Sequence, residues 1–302
     1  MTPATIQPSG IALKIGRVWT LALATVTQLI RMKILFFLVL FCVLVVGAGF
    51  AFSVINPEQQ LGLIKTVSLG ALQIFSLVIG IVSTALLLPK DMEDRTLYTI
   101  LSKPVPRLDY LVGKLLGVMM LIGGGLFFLN LMASVVIYTR QGMVMEDALR
   151  ALEYDGQATP ETIERLKGIV ARQGLTWEMH WAVLAIFLKA AVVTTMALVL
   201  SCIASSTLFT IVVAFCAVII GHGEHLLREF FLHPHLSGQA ERLAALALAI
   251  VFPDLAQFDI VDGVVAGESV PWSAVLDMIG IAAMYVCGYM TIAHLLFVEK
   301  EL

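Results

Sequence analysis

The sequence predicts an all-α polytopic membrane protein with six spanning helices, an N-terminal amphipathic interfacial helix and a re-entrant piece before the last span. Three observations predict it. The 302-residue chain is 59% hydrophobic and 14% charged, against about 45–50% and about 25% in a soluble domain. The apolar residues are gathered into runs of roughly 20, the length that crosses about 30 Å of hydrocarbon as a helix. Charged residues cluster in the connections between those runs, most densely over 89–114.

The N-terminal segment, 1–33, begins with a polar stretch containing Pro3 and Pro8. In 11–33, Lys14, Arg17, Ala24, Gln28 and Arg31 recur at three- and four-residue steps and share a helical face. Ile15, Val18, Trp19, Ala22, Val26 and Leu29 lie elsewhere on the wheel. A basic face, an apolar face and a tryptophan suit a helix in the headgroup plane. The alternative is the first half of a longer spanning helix.

The transmembrane domain, 34–302, follows. Span one is expected at about 34–55, too long for the core of a cleaved signal peptide, and Asn56-Pro57 breaks it. Span two covers about 62–88 and ends at Pro89; span three covers about 110–138. Gly113 and Gly117 in span three form a small-xxx-small pair that permits close helix approach.

Residues 139–178 form the one sizeable soluble insertion, read as an extracytoplasmic helical hairpin. Thr159-Pro160-Glu161 reads as a capped helix start, and Ile163, Leu166, Ile169 and Val170 give that helix one apolar face. Span four is expected at about 181–203 and a short span five at about 207–221. A charged stretch, 222–242, and a ten-residue apolar piece, 243–252, come next. The latter is too short to cross, so it reads as re-entrant or interfacial. Residues 254–272 read as a loop, and the last span covers about 273–298.

Six spans put both termini on one side. Arg31, Lys33, Lys90, Lys103 and Arg107 lie on that side, which the positive-inside rule assigns to the cytoplasm of a cell membrane. Net charge is −3, which offers no basis for a nucleic-acid partner. The four cysteines, Cys42, Cys202, Cys216 and Cys287, lie inside apolar runs without paired spacing and read as small hydrophobes.

Few residues suggest chemistry of their own. No phosphate-binding G-x-x-x-x-G-K-[ST] loop and no G-x-S-x-G elbow is present. Hence no catalytic residue, bound cofactor or nucleotide hydrolysis is assigned to the chain. His222, His225, His233 and His235, with Glu224, are weak metal candidates, because their spacing matches no metalloprotease pattern. Lys189 lies well inside span four; it is either a functional ionisable residue or one that snorkels outward. Lys65, Asp277 and His294 sit nearer span ends and are expected at the interface. Asn130 is expected to hydrogen-bond to a neighbouring helix.

The central stretch carries the sharpest reading. Asp91, Glu93 and Asp94 read as a helix start, favoured there by the helix dipole. Leu97, Ile100 and Leu101 share one apolar face, and Pro104 and Pro106 stop the helix. Such a helix suits a groove on a cytosolic partner; the plain alternative is a loop helix resting on the bilayer.

The run EDRTLYTILSKPVPRLDYLVGK resembles the signature of the type-2 ATP-binding-cassette (ABC-2) permeases. The matching positions are Glu93 or Asp94, Thr96-Leu97, Leu101-Ser102, Pro104, Arg107, Tyr110 and Gly113-Lys114. The serines at 201, 205 and 206 and the run FPDLAQFDIVDGVVAGESV are similar to that family's single-cassette exporter branch, which includes the nitrous-oxide-reductase maturation permease. The 139–178 hairpin is longer than in many members. The resemblance implies a permease subunit that binds no cofactor itself. It implies separate ATPase subunits carrying ATP and Mg, and a second permease copy, identical or not. It also makes 89–107 a coupling helix, with Arg95, Lys103 and Arg107 as polar contacts to the ATPase and Leu97, Ile100 and Leu101 in its groove. Membrane lipid surrounds the spans, and the hairpin is a place for an extracytoplasmic partner. A secondary carrier using Lys189 and Asp277 is the alternative.

Overall fold

Apolar runs of this length have one economical backbone solution, because a helix satisfies its own amides where water is absent. The computed structural model describes residues 10–33, 35–51, 57–93, 106–204, 206–232 and 252–299. Every regular element among them is helical: α1 (Gly10–Arg31), α2 (Leu35–Ala51), α3 (Pro57–Glu93), α4 (Arg107–Tyr154), α5 (Pro160–Gln173), α6 (Glu178–Ile203), α7 (Thr207–Leu232), a 3-10 turn (Leu255–Phe258), α8 (Val261–Ala266) and α9 (Trp272–Glu299).

Five helical runs, within α3, α4, α5–α6, α7 and α9, are long and apolar enough to cross a membrane. The α1–α2 pair, bent by 71°, qualifies only when its halves are taken together. Large apolar side chains stay exposed on every one of these helices, such as Phe36, Phe50, Phe127, Leu208, Ile219 and Met284. Water would not tolerate so much continuous apolar surface; hydrocarbon does. The protein is therefore an all-α membrane-embedded chain.

The centre of the bundle is α3, α4 and α6. α1 and α2 pack along α4, α7 lies beside α3 and α6, and α9 covers α6. One core joins α2, α3, α4 and α6 around Phe41, Leu72, Phe75, Ile122, Leu126 and Ile186. A second joins α3, α6, α7 and α9 around Ile81, Val193, Ala214 and Met278, and takes in Leu255 and Phe258. Small clusters close the two ends: Tyr110, Leu198, Cys202 and Phe297 at the Arg107 end, and Leu61, Val144, Leu166 and Val170 at the hairpin end.

Several boundaries differ from the sequence expectation. α3 does not stop at Pro89; it continues to Glu93. A proline this near a helix end removes one amide donor and leaves its backbone angle helical. Asp91 and Glu93 consequently lie within α3, not at a helix start. The helix that holds span three does not end at 138: α4 runs on without a proline to Tyr154 and forms the first arm of the hairpin. Gly156, at φ 66°, turns the chain. Thr159 then caps α5, with reciprocal Thr159–Thr162 bonds of 3.3 and 3.0 Å. The helix at span five is longer than 207–221: α7 continues to Leu232 and carries His222 and His225.

The expected loop 254–272 is the largest revision. Its 3-10 turn and α8 are packed into the bundle, with Leu255, Phe258 and Val264 almost fully buried. Asp254 fixes the turn by accepting from the Ala256 amide (3.1 Å) and the Gln257 side chain (3.1 Å). The re-entrant piece 243–252 lies outside the described residues but for Phe252.

Candidate functional site

The segment that the sequence analysis singled out is bracketed by the end of α3 at Glu93 and the start of α4 at Arg107. Asp94, Arg95, Thr96, Leu97, Ile100, Leu101, Lys103 and Pro104 lie outside the described residues. The structure does describe what the segment leads into.

Arg107 is the first residue of α4. Its guanidinium donates to the carbonyls of Phe297 (2.9 Å) and Val298 (2.7 Å) in the last turn of α9. Those carbonyls have no partner within their own helix, and a cation is favoured at that end. The guanidinium also lies over the Phe297 ring, 6.0 Å from its centroid. One turn on, Tyr110 is fully buried and stacks on Phe297 at 5.8 Å. α4 and α9 are thus joined at this end by a charge, two hydrogen bonds and an aromatic stack.

The same turns of α4 hold α1. Asp109 lies 3.8 Å from Arg17, and Lys114 donates to Gln28 at 3.0 Å. Gly113 and Gly117 face the backbone of α1; a Cβ on Gly117 would stand 2.7 Å from the Ala22 carbonyl oxygen. The small-residue pair therefore seats α1 on α4. This revises the expectation for α1, because Arg17 and Gln28 from its polar face turn inward. Ile15, Trp19, Leu23 and Ile30 remain outside as an exposed apolar face.

A second polar feature is buried in the bundle. Lys189, 1% exposed, does not snorkel outward. Its Nζ lies 3.6 Å from Asp259 Oδ2 at the foot of the 254–266 segment. Sequence reasoning missed Asp259. The available signal was that a lysine inside a span needs a counter-charge, but the sequence named only Asp277 beside Lys189, and the fold brings Asp259 to it instead. Asp277 is exposed on α9. Lys65 is fully buried on α3, where Glu178 is the carboxylate whose field reaches it.

Asn130 Nδ2 meets His180 Nδ1 at 3.0 Å and ties α4 to the first turn of α6. Trp181 packs edge-on against Trp272 at 5.1 Å. Arg140, at the foot of the hairpin, donates to Gln60 at 3.1 Å.

The histidines are not brought together within the described residues. His222 Nδ1 pairs with the Val218 carbonyl at 2.9 Å; His233 and His235, and the side chain of His225, are outside them. Among the described residues no group of three His, Cys, Asp or Glu side chains could hold a metal ion.

Comparison with known proteins adds no kinship: the chain matches no family model and no curated protein.

Proposed function

We propose that the chain is the membrane subunit of an ATP-binding-cassette exporter, with 89–107 as the element through which separate ATPase subunits drive it. The observation that carries this reading is the 93–114 motif, whose exit residues Arg107, Tyr110 and Lys114 each hold another helix. A push on the segment reaches α3 and α4 directly, α9 through Arg107 and Tyr110, and α1 through Asp109 and Lys114. That geometry suits a lever more than a passive loop.

In this reading α2 is the first of six spans with α1 in the headgroup plane, and the Arg107 end with both termini faces the cytoplasm, as the basic residues there favour. ATP and Mg belong to the ATPase, and two permease copies share the work. Transport then follows a two-state shift in which closure of the ATPases binds one packing of the bundle better than the other. Leu97, Ile100 and Leu101 fill the ATPase groove, with Arg95 and Lys103 beside them.

The test is purification of the tagged chain from its own membranes, with mass spectrometry and an ATPase assay. The reading requires an ABC ATPase in roughly equal amount, lost with Leu97→Asp plus Leu101→Asp while membrane insertion persists. Normal recovery of the ATPase with that double variant would sink it.

The Lys189–Asp259 pair favours a second reading, a nucleotide-independent carrier that uses this charge pair across the bundle. Recovery of the chain alone, without nucleotide hydrolysis, would move the weight there.

A further inference from the structure

At the bend between α1 and α2 the bundle holds an apolar cavity of about 220 Å³, lined by Val26, Leu38, Phe75, Ile79, Leu121 and Gly124 among others. Two glycines of α4, Gly124 and Gly125, belong to its lining. A side chain on Gly125 would strike the Phe75 ring, whereas Gly124 faces open space and is exposed at the mouth. Nothing polar in that lining could hold a water, and an apolar cavity of about 150 Å³ already takes up benzene. A segment of hydrocarbon chain is the occupant that fits.

The bend supplies the opposite chemistry. Arg31 ends α1 and Lys33 forms the turn; both are exposed and neither makes an ion pair among the described residues. Lys33 is held at φ 60° by bonds from its own amide to Ile30 (3.1 Å) and from the Phe36 amide to its carbonyl (2.9 Å). Val26 precedes Arg31 by five residues, about 7.5 Å along α1, and Leu38 lies in the first turn of α2, just after Lys33. An apolar slot in a membrane protein with two unpaired cations beside it matches an amphiphile with an anionic head.

We propose that the α1–α2 bend binds an anionic phospholipid, its phosphate on Arg31 and Lys33 and part of one acyl chain in the Gly124 cavity. This does not rest on the permease reading. The bound lipid wedges α1 and α2 at their bend and fixes the angle at which α1 meets α4.

The test is native mass spectrometry of the purified full-length chain in detergent. It is titrated with phosphatidylglycerol or with phosphatidylcholine of the same acyl chains. The unaltered chain should prefer phosphatidylglycerol. Arg31→Gln and Lys33→Gln should each weaken phosphatidylglycerol about five-fold and leave phosphatidylcholine unchanged. Gly124→Leu, which fills the slot, should weaken both lipids alike. Raising the ionic strength should erode the preference in the unaltered chain, a measurement that needs no variant to fold. Equal affinity for the two lipids, a preference that survives both glutamine substitutions, or one insensitive to salt would overturn the proposal.

Discussion

At the scale of single residues, two polar groups of this membrane protein meet partners far along the chain, Lys189 at Asp259 and Arg107 at the last turn of α9. Lys189 is almost fully buried, whereas the Asp259 side chain is 41% exposed. Removing the acid leaves a charge that the interior cannot solvate. Asp259→Asn should therefore cost about 1–3 kcal/mol, below the usual loss for a fully buried pair because water reaches one partner. Lys189→Met combined with Asp259→Asn should recover most of it, since a matched apolar replacement leaves no orphan charge. A double-mutant cycle by thermal unfolding in detergent checks both statements; additive losses would mean that the pair is not coupled. Arg107 makes a different commitment. Arg107→Ala frees two carbonyls of α9 and should cost about 1.5–3 kcal/mol, read as faster amide exchange confined to the last turn of α9. Arg107→Lys should recover only part, because an ammonium lacks the planar fork that serves two acceptors.

At the scale of elements, close packing here depends on missing side chains. Between helices in lipid there is no hydrophobic driving force, so contact area and small residues decide association. Gly117 lets α1 approach until Thr25 and the Ala22 carbonyl stand where a side chain would begin. Gly117→Val should push α1 away at a cost of about 1–3 kcal/mol. Gly124→Ala, which meets nothing within 4 Å, should be neutral. Cysteine cross-linking between α1 and α4 distinguishes the two. The hairpin obeys the opposite rule because its outer faces are polar and its cluster is sealed from water. Leu166, 5% exposed against Leu61, Val144 and Val170, should cost about 2–4 kcal/mol on conversion to alanine. The loss should appear as protease sensitivity at 155–159 rather than as loss of the whole bundle.

For the molecule as a whole, the outer surface is the membrane-facing one. α9 buries one face on α6 and leaves Leu276, Met284, Ile292 and Leu295 outside. Cys216 and Cys287 lie on such outward faces and are free and exposed. In intact membranes they should resist a water-soluble maleimide and react with a hydrophobic thiol reagent. Rapid labelling by the water-soluble reagent would place those faces on an aqueous path instead. The bundle is also tied at both ends, by Arg107 and Tyr110 to α9 at one and by Trp181 to Trp272 at the other. A displacement of α4 therefore carries α9 with it, which is the property a transmission element requires.

Membrane class, helical content and the approximate places of the long apolar helices were legible in the sequence. Each follows from a local property: an apolar run of about 20 residues has to become a helix in hydrocarbon whatever its neighbours are. The start of α5 was legible for the same reason, because Thr159 and Pro160 act within one turn. The ends of α3, α4 and α7 were less so. A proline at 89 or a run of polar residues after 138 lowers helix propensity by amounts that packing outweighs. The partners of Lys189, Arg107 and Gly117 were not legible at all. Each lies 70 or more residues away in the chain, and a lysine inside a span states only that a counter-charge exists. The tertiary structure brought Asp259 to Lys189, gave Arg107 to the end of α9, and turned Arg17 and Gln28 of α1 inward. Local chemistry sets the demand of each residue, while the packing of distant helices decides which group meets it.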